Sequence, residues 1–448
     1  MGSQQSVPGW ILIREGVDAP VSWVLPSRLT KIPKTKGVKS LNKLFVGIDV
    51  GSRDNAVHIM LPDGGKHSSF SVQNNLGGSQ TISKNVVSAM VAKGLESLEI
   101  GIEATGVYGD GLMCFLNEDG AIGRFEKKLY ILNPKQIKKF KQAYSDLPKN
   151  DPVDAFVVAD SLRFGRIGSP VYMGDYRYKA LQNLTRVRFY TIQNLSREKQ
   201  RFMNYIFMKC SGLAQEKVFS NNYGATALAV FEEFETPDDL ANMEIEELTA
   251  FIAEKGRNRF PHPDEVARAV QAAANGSYRL PKTVNNSVNQ VLSISISSMR
   301  AMQTQIKALD KEIERQFANI PNTLTSVPGI GPVISAGIIA EAGDVNRFTK
   351  GQAGLAKYAG LVWKENKSGT FEGQNTRMIK SGNRFLKYYL CEAAMSLVCC
   401  DTEYRRFYDL KYKEVNKYQH KRALALTARK FVRLVFRLLK DNRLYIPA

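Results

Sequence analysis

Leu44-Phe45-Val46-Gly47-Ile48-Asp49-Val50 is an apolar run broken by a single carboxylate, the pattern of a strand buried on both faces. Reading outward from it, Asn55-Ala56-Val57-His58-Ile59-Met60-Leu61 is a second strand. Pro62-Asp63-Gly64-Gly65 is a hairpin turn leading to a third strand at Phe70-Ser71-Val72. Helical spacing runs from Thr81 to Leu95. Leu98-Glu99-Ile100-Gly101-Ile102-Glu103 and Lys128-Leu129-Tyr130-Ile131-Leu132 are two more strands. The stretch 44–170 is therefore an α/β domain led by a strand meander.

Residues 1–43 form a basic N-terminal extension: Arg28, Lys31, Lys34, Lys36, Lys39 and Lys43 fall in a stretch without an acid, broken by Pro33 and Gly37. Residues 171–320 are helical. Leu181, Leu184, Val187, Ile192, Leu195, Phe202 and Ile206 stripe one long helix. Leu292, Ile296, Met299, Met302, Ile306, Leu309 and Ile313 stripe another at nearly coiled-coil spacing. Helix packing or dimerisation is the use expected of such stripes. Between them, an insert near 215–285 carries Thr236-Pro237-Asp238-Asp239, a cap, an N1 proline and an acidic first turn. Eight acids and no base in 231–250 turn this part away from phosphate backbones. The third unit, 321–448, is basic: Arg405 to Lys440 holds twelve Lys/Arg against two acids, with Tyr404, Phe407, Tyr408, Tyr412 and Tyr418 near or among them.

The whole chain of 448 residues has 62 Lys/Arg and 43 Asp/Glu, a formal charge of +19, which points to a nucleic-acid partner. Five cysteines without a CxxC pair and four histidines disfavour a disulfide framework and a zinc finger, and suit a reducing cytoplasm. No apolar run is long enough to cross a membrane.

Four acids stand out by context. Asp49 and Glu103 sit on apolar strands, and Asp151 and Asp154 open a helix in Asn150-Asp151-Pro152-Val153-Asp154-Ala155, three apart and so on one face. A strand acid is costly without a partner. Converging carboxylates are best satisfied by a divalent cation, and an oxygen-only set selects Mg²⁺ or Mn²⁺. The plainer alternatives are an N-cap for Asp151 and a dipole-favoured first-turn acid for Asp154.

The order strand–Asp, strand–Glu, Asp-x-x-Asp resembles the RuvC-like nucleases of the ribonuclease H fold. With Leu132-Asn133-Pro134-Lys135-Gln136-Ile137 added, it resembles more closely the DEDD transposases of IS110-type insertion sequences. That resemblance implies an α/β plus all-α chain: a RuvC-like N-terminal domain, a helical coiled-coil middle and a mainly helical C-terminal transposase domain. It implies a DNA recombinase guided by a structured, bridge-type RNA, acting on target and donor DNA as a homodimer or homotetramer in the bacterial cytoplasm, at the nucleoid. Asp49, Glu103, Asp151 and Asp154 would be catalytic and hold Mg²⁺ or Mn²⁺.

In the C-terminal unit, Val327-Pro328-Gly329-Ile330-Gly331-Pro332 and the following apolar helix read as a helix-hairpin-helix turn, or as a plain turn between packed helices. Leu355-Ala356-Lys357-Tyr358-Ala359-Gly360-Leu361-Val362 precedes a Gly-rich loop, Lys367-Ser368-Gly369-Thr370-Phe371-Glu372-Gly373. A helix is expected through Met378-Ile379-Lys380-Ser381-Gly382-Asn383-Arg384-Phe385-Leu386. By the same resemblance, Ser368 is the nucleophile that forms a covalent phosphoserine. Ser381 is the alternative, although Ser381-Gly382-Asn383 also suits a helix cap. A serine needs its proton removed or a metal near its oxygen, and no histidine lies close in sequence. Candidate nucleic-acid contacts are Lys135, Lys138, Lys139, Lys141, Gly329, Gly331, Arg377, Lys380 and Arg384. Two rival functions remain: a junction-selective nuclease that uses water, and a non-catalytic nucleic-acid-binding protein.

Overall fold

The computed structural model describes residues 42–104, 106–144, 147–165, 167, 175–364, 367–368, 371–372 and 377–446. The basic extension, but for Asn42 and Lys43, lies outside them. The chain divides into two compact units at residue 171/172.

In the first unit the buried-strand runs become β1 (Lys43–Val50), β2 (Asp54–Met60), β3 (Lys66–Gln73), β4 (Ser97–Glu103) and β5 (Glu126–Leu132). They form one sheet in the order β3-β2-β1-β4-β5. The meander β1–β2–β3 is antiparallel, whereas β4 and β5 run parallel to β1. This mixed sheet is consistent with the RuvC-like expectation. The third strand spans eight residues rather than three, because its outer positions are polar and exposed and leave little apolar signal. Helix α1 (Leu76–Lys93) starts before the expected Thr81, since Asn75 caps it by accepting from Gly78 N. The helices α2 (Asp110–Glu118), α3 (Gly120–Gly123), α4 (Pro134–Lys141) and α5 (Asp151–Phe164) complete the unit.

Helix α5 lies on the sheet at its two glycines. A Cβ on Gly47 would stand 2.1 Å from Ala155 O and 2.4 Å from Ala159 N, and one on Gly101 would meet the Leu162 methyls at 3.1 and 3.2 Å. Ala155, Ala159 and Leu162 are buried there. The backbone approach is too close for any β-carbon at position 47.

The second unit is helical. Helices α6 (Tyr176–Lys209) and α12 (Lys282–Phe317) pack along each other. The pairs Arg177–Asn319, Arg188–Asp310 and Glu198–Ser295 show them antiparallel. At the far end, α7 (Ser211–Gln215), α8 (Ala225–Glu233), α9 (Pro237–Ala241), α10 (Ile245–Lys255) and α11 (Pro263–Asn275) share a core with Phe202, Ile206, Leu292 and Ile296. Thr236 and Asp239 form the capping box expected of the insert. At the near end, Leu181, Ile313 and Phe317 enter a second core with α13 (Pro332–Ala342), α14 (Gly351–Tyr358), α15 (Arg384–Cys400), α16 (Thr402–Lys413) and α17 (Gln419–Asp441). Of the stripe residues between the two cores, Ile192, Leu195, Met302, Ile306 and Leu309 are half-buried, whereas Val187, expected on the packed stripe, is exposed. The two-residue strands β6 (Lys367–Ser368) and β7 (Phe371–Glu372) pair antiparallel. No helix among the described residues is long and apolar enough to cross a membrane.

One expected helix is shorter than its sequence suggests. The run from Met378 becomes helical only at Arg384, because Asn383 caps α15 and Gly382 has φ +136°. The residues before it pair instead with the chain at 362–364.

Candidate active site

Side chains alternate along a strand, so a residue two places after another faces the same side. Gly47 and Gly101 face α5, and therefore so do Asp49 and Glu103, each two positions further toward the carboxyl end of its strand. β1 and β4 are parallel neighbours with Ile48 opposite Ile102, which sets Asp49 and Glu103 side by side. Acids at the carboxyl edge of a parallel pair occupy the usual ligand-binding edge of an open α/β sheet.

Helix α5 brings the other two acids. Its N-cap is Asn150, whose Oδ1 accepts from Val153 N at 3.0 Å. Asp151 is thus the first helical residue rather than the cap, with Pro152 after it. Asp154 directly precedes Ala155, which contacts Gly47, so the Gly47 approach sets its carboxylate near Asp49. Burial, then Asp154, then Asp151 push the Asp49 carboxyl up from its ordinary value, while Lys141 and a Val50 hydrogen bond oppose this. Burial, then Asp49 and Asp154, likewise raise Glu103. The four acids thus form one repulsive negative cluster. Its internal counter-charge is Lys141, at the end of α4, whose Nζ donates to Asp154 Oδ1 at 2.6 Å with both groups partly buried. Lys135, Lys138 and Lys139 are exposed on the same helix, and that helix follows β5 at the same edge of the sheet.

The donor chemistry suits a hard divalent cation: oxygen only, anionic, and self-repelling without one. Among the described residues, however, no three His, Cys, Asp or Glu side chains come together closely enough to hold an ion. The acids are gathered as a charge cluster, with Asp154 engaged by Lys141. His58, opposite Gly47, packs edge-on to Phe156 at 5.3 Å, and burial, then Lys66, lowers its pKa.

Three features of this edge escaped sequence reading. Lys141 looked like one more basic residue of a helix, and its pairing with Asp154 has no local signature. Asn74 Nδ2 donates to Gly51 O at 2.9 Å and to Tyr108 O at 3.1 Å, tying the loop after β1 to the loop after β4. Val107 and Tyr108 in that second loop are exposed, 72% and 54%, beside the acids. A Gly-x-acid repeat in two strands, Gly47-Ile48-Asp49 and Gly101-Ile102-Glu103, is the signal that could have joined helix contact to site.

In the second unit, Ser368 pairs through its backbone with Phe371, and its side chain lies outside the described residues. Gly329 has φ +79°, and a Cβ there would meet Ser396 Oγ at 2.7 Å and Cys400 Sγ at 2.9 Å. Packing thus accounts for this glycine. Gly331 starts α13 with open space around it, and the helix before the turn is only the 3₁₀ turn Leu324–Ser326. Arg377 and Lys380 are exposed. Arg384, also exposed, sets its guanidinium over Phe385 and Tyr190, 4.9 and 5.1 Å from the ring centres. Ser381 precedes the Asn383 cap, as the capping alternative anticipated.

Comparison with known proteins brings both regions under family models. A DEDD transposase model named for IS110 and described as "Transposase" matches residues 46–206, which include all four acids. A model described as "Transposase IS116/IS110/IS902 family" matches 322–409, which include Ser368 and Ser381. The chain is similar to the "Insertion element IS116 uncharacterized 44.8 kDa protein" of Streptomyces clavuligerus, 26% identical over 91% of this chain and 97% of that protein. It is also similar to the "Insertion element IS900 uncharacterized 42 kDa protein" of Mycobacterium paratuberculosis, 27% identical over 68% of this chain and 75% of that one.

Proposed function

The chain belongs to the IS110 family of insertion-sequence transposases, and from that premise we propose that it is an RNA-guided recombinase that cuts and rejoins DNA through a phosphoserine on Ser368. Ser368 Oγ attacks a backbone phosphorus and loses its proton. The bond from phosphorus to the neighbouring sugar oxygen breaks, and that oxygen leaves with the electron pair and takes up a proton. The phosphodiester count is conserved, so the incoming strand's hydroxyl reverses the step without ATP. Mg²⁺ or Mn²⁺ held by Asp49, Glu103, Asp151 and Asp154 would supply Lewis-acid stabilisation of charge on the phosphate oxygens. Parallel strands carry Asp49 and Glu103 to one sheet edge, and α5 brings Asp154 toward them. Lys141 holds the Asp154 carboxylate in place and offsets the cluster's charge. Lys135, Lys138 and Lys139 track the phosphate backbone beside it.

The observation that carries this reading is the gathering of Asp49, Glu103, Asp151 and Asp154 into one charge cluster at a sheet edge, beneath a family model that spans all four. A structured RNA from the same element selects target and donor DNA, and a homodimer or homotetramer brings the strands together. The protein works in the bacterial cytoplasm, at the nucleoid. The test is a denaturing gel of wild-type protein with its RNA, both DNA partners and Mg²⁺. A DNA–protein adduct should form, and mass spectrometry should place the nucleotide on Ser368. Ser368→Ala should abolish adduct and recombination alike while Ser381→Ala retains both. Cleavage without an adduct in any variant would point to a water-using nuclease.

A further inference from the structure

Two described segments of the second unit, 361–364 and 377–383, flank the stretch that carries Ser368. They are laddered together: Ile379 N donates to Val362 O at 2.9 Å, Lys364 N donates to Arg377 O at 2.9 Å, and Trp363 bridges Met378. At the foot of this stem Gly360 and Gly382, both at positive φ, touch backbone to backbone. A Cβ on Gly382 would lie 2.5 Å from Gly360 Cα. Asn383 N donates to Tyr358 O at 2.7 Å. The Asn383 side chain then divides its work. Its Oδ1 caps α15 by accepting from Phe385 N and Leu386 N, and its Nδ2 donates to Glu341 Oε2 at 2.6 Å.

Glu341 has a fully buried side chain. Arg186 of α6 grips it with two prongs, Nε to Oε1 at 2.6 Å and Nη2 to Oε2 at 3.0 Å, and lies over the Phe385 ring. Gln182 Nε2 donates to Oε2 at 3.3 Å. One carboxylate thus ties α6, α13 and the foot of the Ser368 stem. Its place is opposed by desolvation and by the negative end of α13. An apolar side chain would fill the same space, and what only the charge supplies is a directional grip. We infer that Glu341, with Arg186 and Asn383, is a positioning unit that fixes the foot of the stem carrying the nucleophile. This rests on Ser368 being that nucleophile.

Asn383→Asp tests it, because the new carboxylate still caps α15 but meets Glu341 as a like charge. With the RNA and saturating DNA, the single-turnover rate of adduct formation should fall about 10- to 100-fold, the cost of misplacing a reacting group by about 1 Å. DNA affinity should stay unchanged, and hydrogen exchange at Ile379, Lys364 and Asn383 amides should quicken. Arg186→Lys, which keeps the charge but loses the fork, should show the same pattern more weakly, and it decides the matter if Asn383→Asp does not fold. Wild-type rate and exchange in the folded variant overturn the positioning role. If Ser368→Ala abolishes the adduct while that happens, the positioning inference alone fails. If Ser368→Ala retains the adduct, the reading of the nucleophile fails instead.

Discussion

The acid edge of the first unit and the serine stem of the second solve the same problem, holding reactive groups in place, by opposite means. The acid edge is built from regular elements. Two strands and one helix N-terminus deliver four charges, and two glycines set how near the helix comes. The stem is built from irregular backbone, a short ladder, two glycines in contact and one buried carboxylate. The first arrangement tolerates buried carboxyls that repel one another: burial first, and the neighbouring acids second, raise Asp49 and Glu103. The second surrounds its single buried charge with donors, Gln182 and Arg186 from α6 and Asn383 from the foot of the stem. The proposed binding of a positively charged ligand accounts for an edge left electrostatically unsatisfied, whereas a scaffold has no such need.

If that contrast is right, the largest effect belongs to the acids. Asp154→Asn should reduce strand cleavage about 10²- to 10³-fold, the size usual for removing one preorganised charged group, with DNA and RNA binding retained. Cleavage assays beside filter binding would check both, and full turnover would make Asp154 a mere helix-end acid. Next comes the glycine contact. Gly47→Ala drives a β-carbon into α5 backbone and should destabilise the first unit by about 3 kcal/mol or more, whereas Gly331→Ala, with open space around it, should change little. Urea titration of both variants makes the comparison.

A smaller effect is expected from metal. At 100 times its Kd, Mg²⁺ should add about 2.7 kcal/mol to stability, measured as an upward shift of the thermal midpoint that EDTA reverses. Asp154→Asn should blunt the shift, and mutations in the Glu341 network should leave it alone. The smallest effect concerns pH. A carboxyl raised in the folded state keeps its proton longer than in the unfolded chain. Its contribution to stability therefore falls as pH rises above the ordinary value, 3.8 for Asp49, and levels off above the raised one. Without metal, Asp49→Asn should raise the melting midpoint at pH 7 by about a degree or two and do less at pH 4. A lower midpoint at pH 7 would mean that the Asp49 charge is already satisfied by Lys141.

The sequence by itself determined the strands that carry Asp49 and Glu103, the helix that opens with Asp151 and Asp154, and the capped acidic insert. Each is written in local periodicity or in a cap within three residues of its helix. The long helices α6 and α12 were legible for the same reason. Tertiary structure alone decided that Asp154 comes to Asp49, through a contact at Gly47 more than a hundred residues away, and that Lys141 faces inward while Lys138 and Lys139 do not. It also decided that the chain around Met378 pairs as a ladder instead of entering α15, against its helical spacing. Glu341 looked like the last acid of an apolar helix, and nothing near it in the chain announces Arg186 or Asn383. Hydrogen bonds between residues 155 and 42 positions apart leave no periodic trace, because their geometry depends on how helices pack and not on how any one of them is written.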